Sequence, residues 1–352
     1  MTDLPEPRGE LSQQLIDLLR ERPEPDADAV THLLRIIDAA PPYGDDLQLA
    51  LHTCYELHYQ GFELVDPRWE WDPDLLRVRA AMEQRFLTAL RNEVPGGVDI
   101  DAELDALLIE SDQSIGRYLA EEGESWQLRE FFVHRSIYHH KEADPHAWVI
   151  PRLRGDAKAA LVAVEFDEFG GGRGDRMHAR LYADLLTGAG LNPSYLHYLD
   201  AVPAPMLALV NMMSLFGLHR DLRGALVGQL AAAEITSAPA ARRMLAVLAR
   251  LEPDPACSRF YAEHVEADAV HEQVMRREVV GNLLTGEPEL TASVVFGIQA
   301  TNLLEDRFSQ HVLQQNWLSG RRSLRRPEMD VERAGEASWQ PNRMLLDTVV
   351  SR

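Results

Sequence analysis

The sequence is poor in cysteine, in positive charge and in long apolar runs, and each shortage removes a class of protein. Two cysteines in 352 residues, Cys54 and Cys257, exclude a disulfide scaffold and a thiolate metal cluster, and they fit a reducing, cytoplasmic setting. The formal net charge is −21. Phosphate binding needs a basic face and none is visible, so no nucleic-acid partner is expected, and no membrane surface for the same reason. Such acidity speaks mainly for solubility. The opening MTDLPEPRGE has neither a basic start nor an apolar run, so no signal peptide is expected. The longest apolar stretch, 204–218, falls short of a membrane span and contains Asn211 and Ser214. Alternating strand patterns, repeats and low-complexity tracts are also lacking.

What is present is helical periodicity on a normal apolar content of 45%. Leu47, Leu51, Cys54, Tyr55, His58 and Phe62 share one face. Leu75, Met82, Phe86 and Leu90 mark a second helix. Leu104, Leu107, Leu108, Ser111, Ile115, Tyr118 and Leu119 form a third stripe. A fourth helix is expected over about 124–142, with Leu128, Phe131, Arg135, Tyr138 and then Glu142 on its stripe, just before Pro145. Further on, a helix over 221–236 is expected to end ahead of Pro239 and another to run over 241–251. The pattern predicts an all-α chain with a helical arm at 1–42, one helical domain at 43–322 and a polar tail at 323–352.

Within that pattern one stretch, YAEHVEADAVHEQVM at 261–275, is unusual. His264, Asp268 and His271 fall at i, i+4 and i+7, on one helix face. Nitrogen and oxygen donors without thiolate suit iron, manganese or zinc. Alone, the three residues fit equally a helix with two satisfied histidines and a solvated Asp. Companions exist. Glu168 and His178 flank Gly170-Gly171-Gly172, where a regular helix should break. The run GGGRGDRMH lacks the Walker spacing and follows a helix, so phosphate binding is discounted. Glu234 looks inward near an expected helix C-terminus, where a carboxylate is unfavourable. Glu142 ends an apolar stripe, and His139 beside it is a spare candidate. Each of these alone has a bland reading as a solvated or capping group. Together, Glu142, Glu168, His178, Glu234, His264, Asp268 and His271 put four carboxylates and three imidazoles on four or five helices. Four unpaired buried carboxylates are not tolerable. Two divalent cations would neutralise them and leave coordination positions open. Ferritin-like proteins would show Glu-x-x-His pairs, and no histidine here has Glu three residues before it.

The motifs KEADPHAW at 141–148, EFDEFGGGRGDRMHARLYADLL at 165–186, Glu234 in AAEITS and the H-x3-D-x2-H of 264–271 resemble the haem-oxygenase-like di-iron oxidases, an iron-containing redox enzyme family. Their order and spacing are most similar to the di-iron domain of N-nitrosourea synthases, which N-oxygenates a guanidine. The match spans about 130 residues and is specific in combination. It implies a haem-oxygenase-like helical bundle without haem. It also implies the seven residues as ligands of two irons, with Asp268 and Glu168 as the carboxylates that shift or bridge. Dioxygen would be the co-substrate, with a small-molecule substrate and an external electron donor, and members of such a family are commonly homodimers. A haem site would need one proximal histidine, for which His58 could be proposed, but three imidazoles with four carboxylates fit it poorly.

Three functions follow as expectations. The first is N-oxygenation of a small amine, guanidine or aminoazole, to which the ten-residue step from Glu168 to His178 points. The second is C–H cleavage, giving decarboxylation, desaturation or fragmentation of an amino or fatty acid. The third is a metal-stabilised helical protein without turnover. Tyr138, Tyr182, Met212 and Tyr261 are weak candidates for the substrate pocket, since core packing is the commoner role for each. Arg173 and Arg176 could anchor a substrate carboxylate, although a solvated loop accounts for them.

Overall fold

The computed structural model describes residues 2–23, 27–109, 114–251 and 254–326, with the backbone alone at 266–269. The chain opens with α1 (Glu10–Leu19), α2 (Ala27–Ala39), α3 (Asp45–Glu56) and α4 (Pro73–Glu93). Two short helices, α5 (Ile100–Ala106) and α6 (Ile115–Glu121), lead to α7 (Ser125–His139) and the single turn α8 (Asp144–Ala147). Then come α9 (Gly155–Glu168), α10 (His178–Gly188), α11 (Ala204–Leu218) and α12 (Arg223–Leu251). Helices α13 (Pro255–Gln273), α14 (Gly281–Gly286) and α15 (Thr291–Ser309) complete the fold. Among the described residues the β contact is a single bridge between Thr2 and Phe62, so the class is all-α as the periodicity predicts.

Local chemistry sets the helix ends. Asp72 caps α4 by accepting from the backbone N–H groups of Asp74 and Leu75, with Pro73 at the first helical position. Asp254 and Pro255 repeat the device at α13. The N-terminus of α1 is capped across space: Asp46 of α3 accepts from Leu11 and Ser12 N–H at 2.9 and 2.7 Å. Leu11, Leu15 and Leu19 of α1 and Val30, Leu33 and Ile37 of α2 are fully buried in the same core as α3 and α4.

Helix α11 is buried on every face, with Asn211 and Ser214 its only polar residues. Beside it α12 packs between α13 and α15, and α10 packs on α13. The α12–α15 crossing is close enough for backbones to touch. A Cβ on Gly228 would sit 2.1 Å from the Val294 carbonyl oxygen, and one on Gly297 would sit 2.0 Å from that of Ala225.

Three elements depart from the sequence pattern. The third stripe is not one helix: α5 stops at Ala106, Leu108 and Ile109 are 50% and 78% exposed, and Ser111 lies outside the described residues. The last turn of α5 has acidic Glu103 and Asp105 and no basic residue, and Arg276 donates to the Leu104 carbonyl that a continuing helix would use. Helix α7 ends at His139, so Glu142 projects from the turn after it. Pro145 then falls in the first turn of α8, where its missing N–H costs no helical bond. Conversely, α12 runs straight through Pro239. Its apolar stripe continues on the far side through Ala241, Met244, Val247 and Leu248, and that burial outweighs one lost backbone bond, a cost of about 3 kcal/mol.

Candidate metal centre

Each candidate side chain arrives from a locally defined element. Glu142 follows Lys141, whose ammonium is buried and lies 2.6 Å from Glu56 of α3, and Glu56 also accepts from the Tyr195 hydroxyl. Glu168 is the last residue of α9. Gly170, Gly171 and Gly172 then take φ of +71°, +62° and +78°, a left-handed run that only glycine adopts without strain. A Cβ on Gly170 would meet the backbone of Arg176 and Met177 at 2.6 Å. The chain therefore doubles back tightly, and His178 begins α10 beside Glu168. Glu234 projects from the middle of α12, and His264 and His271 from one face of α13.

These six side chains form two adjacent triads. Glu142, His178 and His264 make one, and Glu168, Glu234 and His271 the other; within each, one donor atom per residue lies within 4.8 Å of the others. Five of the six are buried and Glu142 is partly so. Glu168 Oε2 is 2.8 Å from His178 Nδ1, which joins the triads. The His178 and His264 rings are 4.3 Å apart. His264 donates its Nδ1–H to the Phe260 carbonyl at 2.8 Å, which leaves the Nε2 lone pair toward Glu142 Oε2, 3.9 Å away. That separation is too long for a hydrogen bond, and the two groups would be ligands of one ion. His271 Nδ1 is 2.9 Å from Glu234 Oε2. A nitrogen and oxygen donor set in two buried clusters of carboxylates fits iron. The Asp268 side chain lies outside the described residues.

The electrostatics carry the same imprint. Burial pushes the Glu142 carboxyl up, but His139, with Nδ1 3.0 Å from Oε2, outweighs it, and the group is held well below the usual carboxylate range. The spare candidate His139 thus contacts Glu142 directly. Glu165 lies one turn before Glu168 on α9. It is buried, and neither of its oxygens has a hydrogen-bond partner among the described residues. Burial, aided by Glu168 and Glu234, pushes its carboxyl up to about 9. His146 Nδ1 approaches it at 4.0 Å, while His146 Nε2 is held by Gln229 at 2.6 Å.

A cavity of about 370 Å³ opens onto Glu142, Glu168, Glu234 and His264. Tyr138 and Tyr261 line it. Tyr182 and Met212 are instead packed in the core, the Tyr182 hydroxyl donating to the Phe132 carbonyl at 2.8 Å. Arg135 is fixed on the wall by Glu305, with two bonds of 2.8 and 2.6 Å, and by the rings of Phe131, Tyr138 and Phe308. Arg173 and Arg176 pair with Asp175 and Glu263. His58 belongs to a different cluster, 3.2 Å from Glu70.

No helix among the described residues is long and apolar enough to cross a membrane. A search among curated proteins finds no matching relative. The family model described as iron-containing redox enzyme matches residues 129–306, half of the chain, and that span contains both triads and the cavity wall from α7 to α15. The chain therefore belongs to the iron-containing redox enzyme family and is an iron-dependent oxidoreductase.

Proposed function

We propose that the two triads hold two iron ions and that the enzyme uses dioxygen to oxygenate a nitrogen of a small amine, guanidine or aminoazole. The observation that carries this reading is the gathering of six candidate ligands into two adjacent triads, with Glu142, Glu168, Glu234 and His264 lining one cavity. Glu142, His178 and His264 would hold one ion and Glu168, Glu234 and His271 the other, with Asp268 as the seventh ligand and Glu168 as the bridging carboxylate. Bound iron supplies the redox chemistry with dioxygen that no side chain here can perform. The chain does the rest. Tyr138, Tyr261, Phe131 and Phe260 wall the cavity and exclude water from the reacting nitrogen. His139 keeps the Glu142 carboxylate ionised and oriented. An external donor returns electrons after each turnover. N-oxygenation is preferred over C–H cleavage on the ten-residue step from Glu168 to His178.

The test is anaerobic loading of the apoprotein with Fe(II), a count of bound iron, and mixing with oxygen and candidate amines. Two irons per chain in the wild type are expected, with fewer in Glu142→Ala and Glu234→Ala, together with a product heavier by oxygen. A product that has lost hydrogen or carbon dioxide would move the assignment to C–H cleavage. Metal that raises the melting temperature without any oxygen consumption would leave only a structural role.

A further inference from the structure

We propose that Asp167 is a positioning residue that fixes His271 in the tautomer able to bind metal through Nδ1; this rests on the metal-site reading above. Asp167 and Glu168 are consecutive at the end of α9, about 100° apart around the helix. Glu168 turns into the buried triad. Asp167 stays at the surface with its side chain 57% exposed, yet its Oδ2 lies 3.2 Å from His271 Nε2. The His271 ring is 3% exposed and is held between two carboxylates, with Glu234 Oε2 2.9 Å from Nδ1 on the inner side.

A neutral imidazole has one N–H and one lone pair, and a carboxylate only accepts. Both carboxylates cannot be satisfied by a neutral ring. If the proton sits on Nδ1, it donates to Glu234, and the nitrogen that should bind metal is occupied. If the proton sits on Nε2, it donates to Asp167, and the Nδ1 lone pair faces the Glu234 oxygen. Two electron-rich atoms at that separation repel unless a cation lies beside both. Asp167 therefore biases the ring toward the state that a metal completes, as a carboxylate does in many metal–histidine pairs. His264 reaches the same end from the opposite nitrogen, because its Nδ1–H is held by the Phe260 carbonyl. The two histidines of α13 thus present different nitrogens to the two triads.

The test uses the full-length apoprotein, titrated anaerobically with Fe(II) against a chromophoric chelator, beside thermal melts of the metal-free protein. Asp167→Ala is expected to weaken one of the two binding events by about 10–100-fold while the apoprotein melts as wild type. Asp167→Asn keeps an acceptor oxygen at the same place and is expected to restore most of that loss. Wild-type affinity in Asp167→Ala would overturn the proposal. So would a loss that follows the apoprotein melting temperature, or an Asp167→Asn variant as weak as the alanine. A wild type that binds no iron would overturn both this role and the metal-site reading, whereas an unaffected Asp167→Ala beside a two-iron wild type overturns only the role of Asp167.

Discussion

Replacing Gly228 by alanine will force α12 away from α15. The added Cβ would lie 2.1 Å from the Val294 carbonyl oxygen and 2.9 Å from its carbon. Ordinary contact begins near 3.4 Å, so the helices must part by about 3.4 − 2.1 = 1.3 Å, and by about 1.4 Å for Gly297→Ala, whose Cβ would be 2.0 Å from the Ala225 oxygen. The obstacle is backbone, which cannot rotate aside. Overpacking of this kind costs about 1–3 kcal/mol, and the upper end is expected; the gain in helix propensity returns about 1. A net loss of about 2 kcal/mol lowers the melting temperature of a 352-residue chain by roughly 3 °C. The assay is thermal unfolding followed by circular dichroism. Gly286→Ala is the control: nothing lies within 4 Å of its Cβ position, so it should gain about 0.5–1 kcal/mol. The double variant Gly228→Ala/Gly297→Ala should cost less than the sum, because one separation relieves both clashes. Wild-type melting in either seam variant, or a fall in Gly286→Ala as large as theirs, would refute the packing account.

Lys141→Met removes the ammonium from a pair in which both side chains are almost fully buried, leaving the Glu56 charge with the Tyr195 hydroxyl but no cation; a loss of about 3–5 kcal/mol is expected in urea unfolding. Gly170→Ala combines a φ of +71° with a 2.6 Å clash against the Arg176–Met177 backbone, so it should displace His178 and reduce bound iron, whereas Gly174→Ala, in open space, should not. His52 and His134 are fully buried, and burial holds both well below the usual histidine pKa of 6.5. The fold therefore refuses protons that the unfolded chain accepts. Their contribution is complete above about pH 6.5 and is lost as the pH falls below it, which should appear as a falling urea midpoint that is flatter in a His52→Gln/His134→Gln double variant.

Period and spacing carry much of the fold. Apolar stripes suffice for α3, α4 and α7, and the i, i+7 step places His264 and His271 on one face of α13. Glu234 is visible as an inward carboxylate because everything else on its stripe is apolar. The stop of α5 is not visible, since it depends on Arg276, a residue far along the chain. The continuity of α12 through Pro239 is likewise decided by burial on both sides of the proline rather than by the proline. Asp167 leaves no periodic trace at all: it is exposed, off the stripe, and meaningful only through a contact 104 residues away. Glu165 lies one turn before Glu168, and spacing alone does not separate a ligand from a buried neighbour of ligands.

The glycine-to-carbonyl seam has a further consequence for how such a cavity can vary. Thr301 and Glu305 of α15 and Ala233 and Ser237 of α12 all face the cavity, and the seam locks the two helices that carry them into one wall. A larger side chain on that wall has no slack to draw on. The wall with Ser114, Phe131 and Tyr138, on and around α6 and α7, meets α12 and α15 through side chains, Arg243 beside Gly116 and the Arg135–Glu305 pair, and among the described residues no glycine there abuts their backbone. Retuning of the cavity for molecules of different width thus has its room on the α6–α7 side, while the α12 side keeps Glu234 in place.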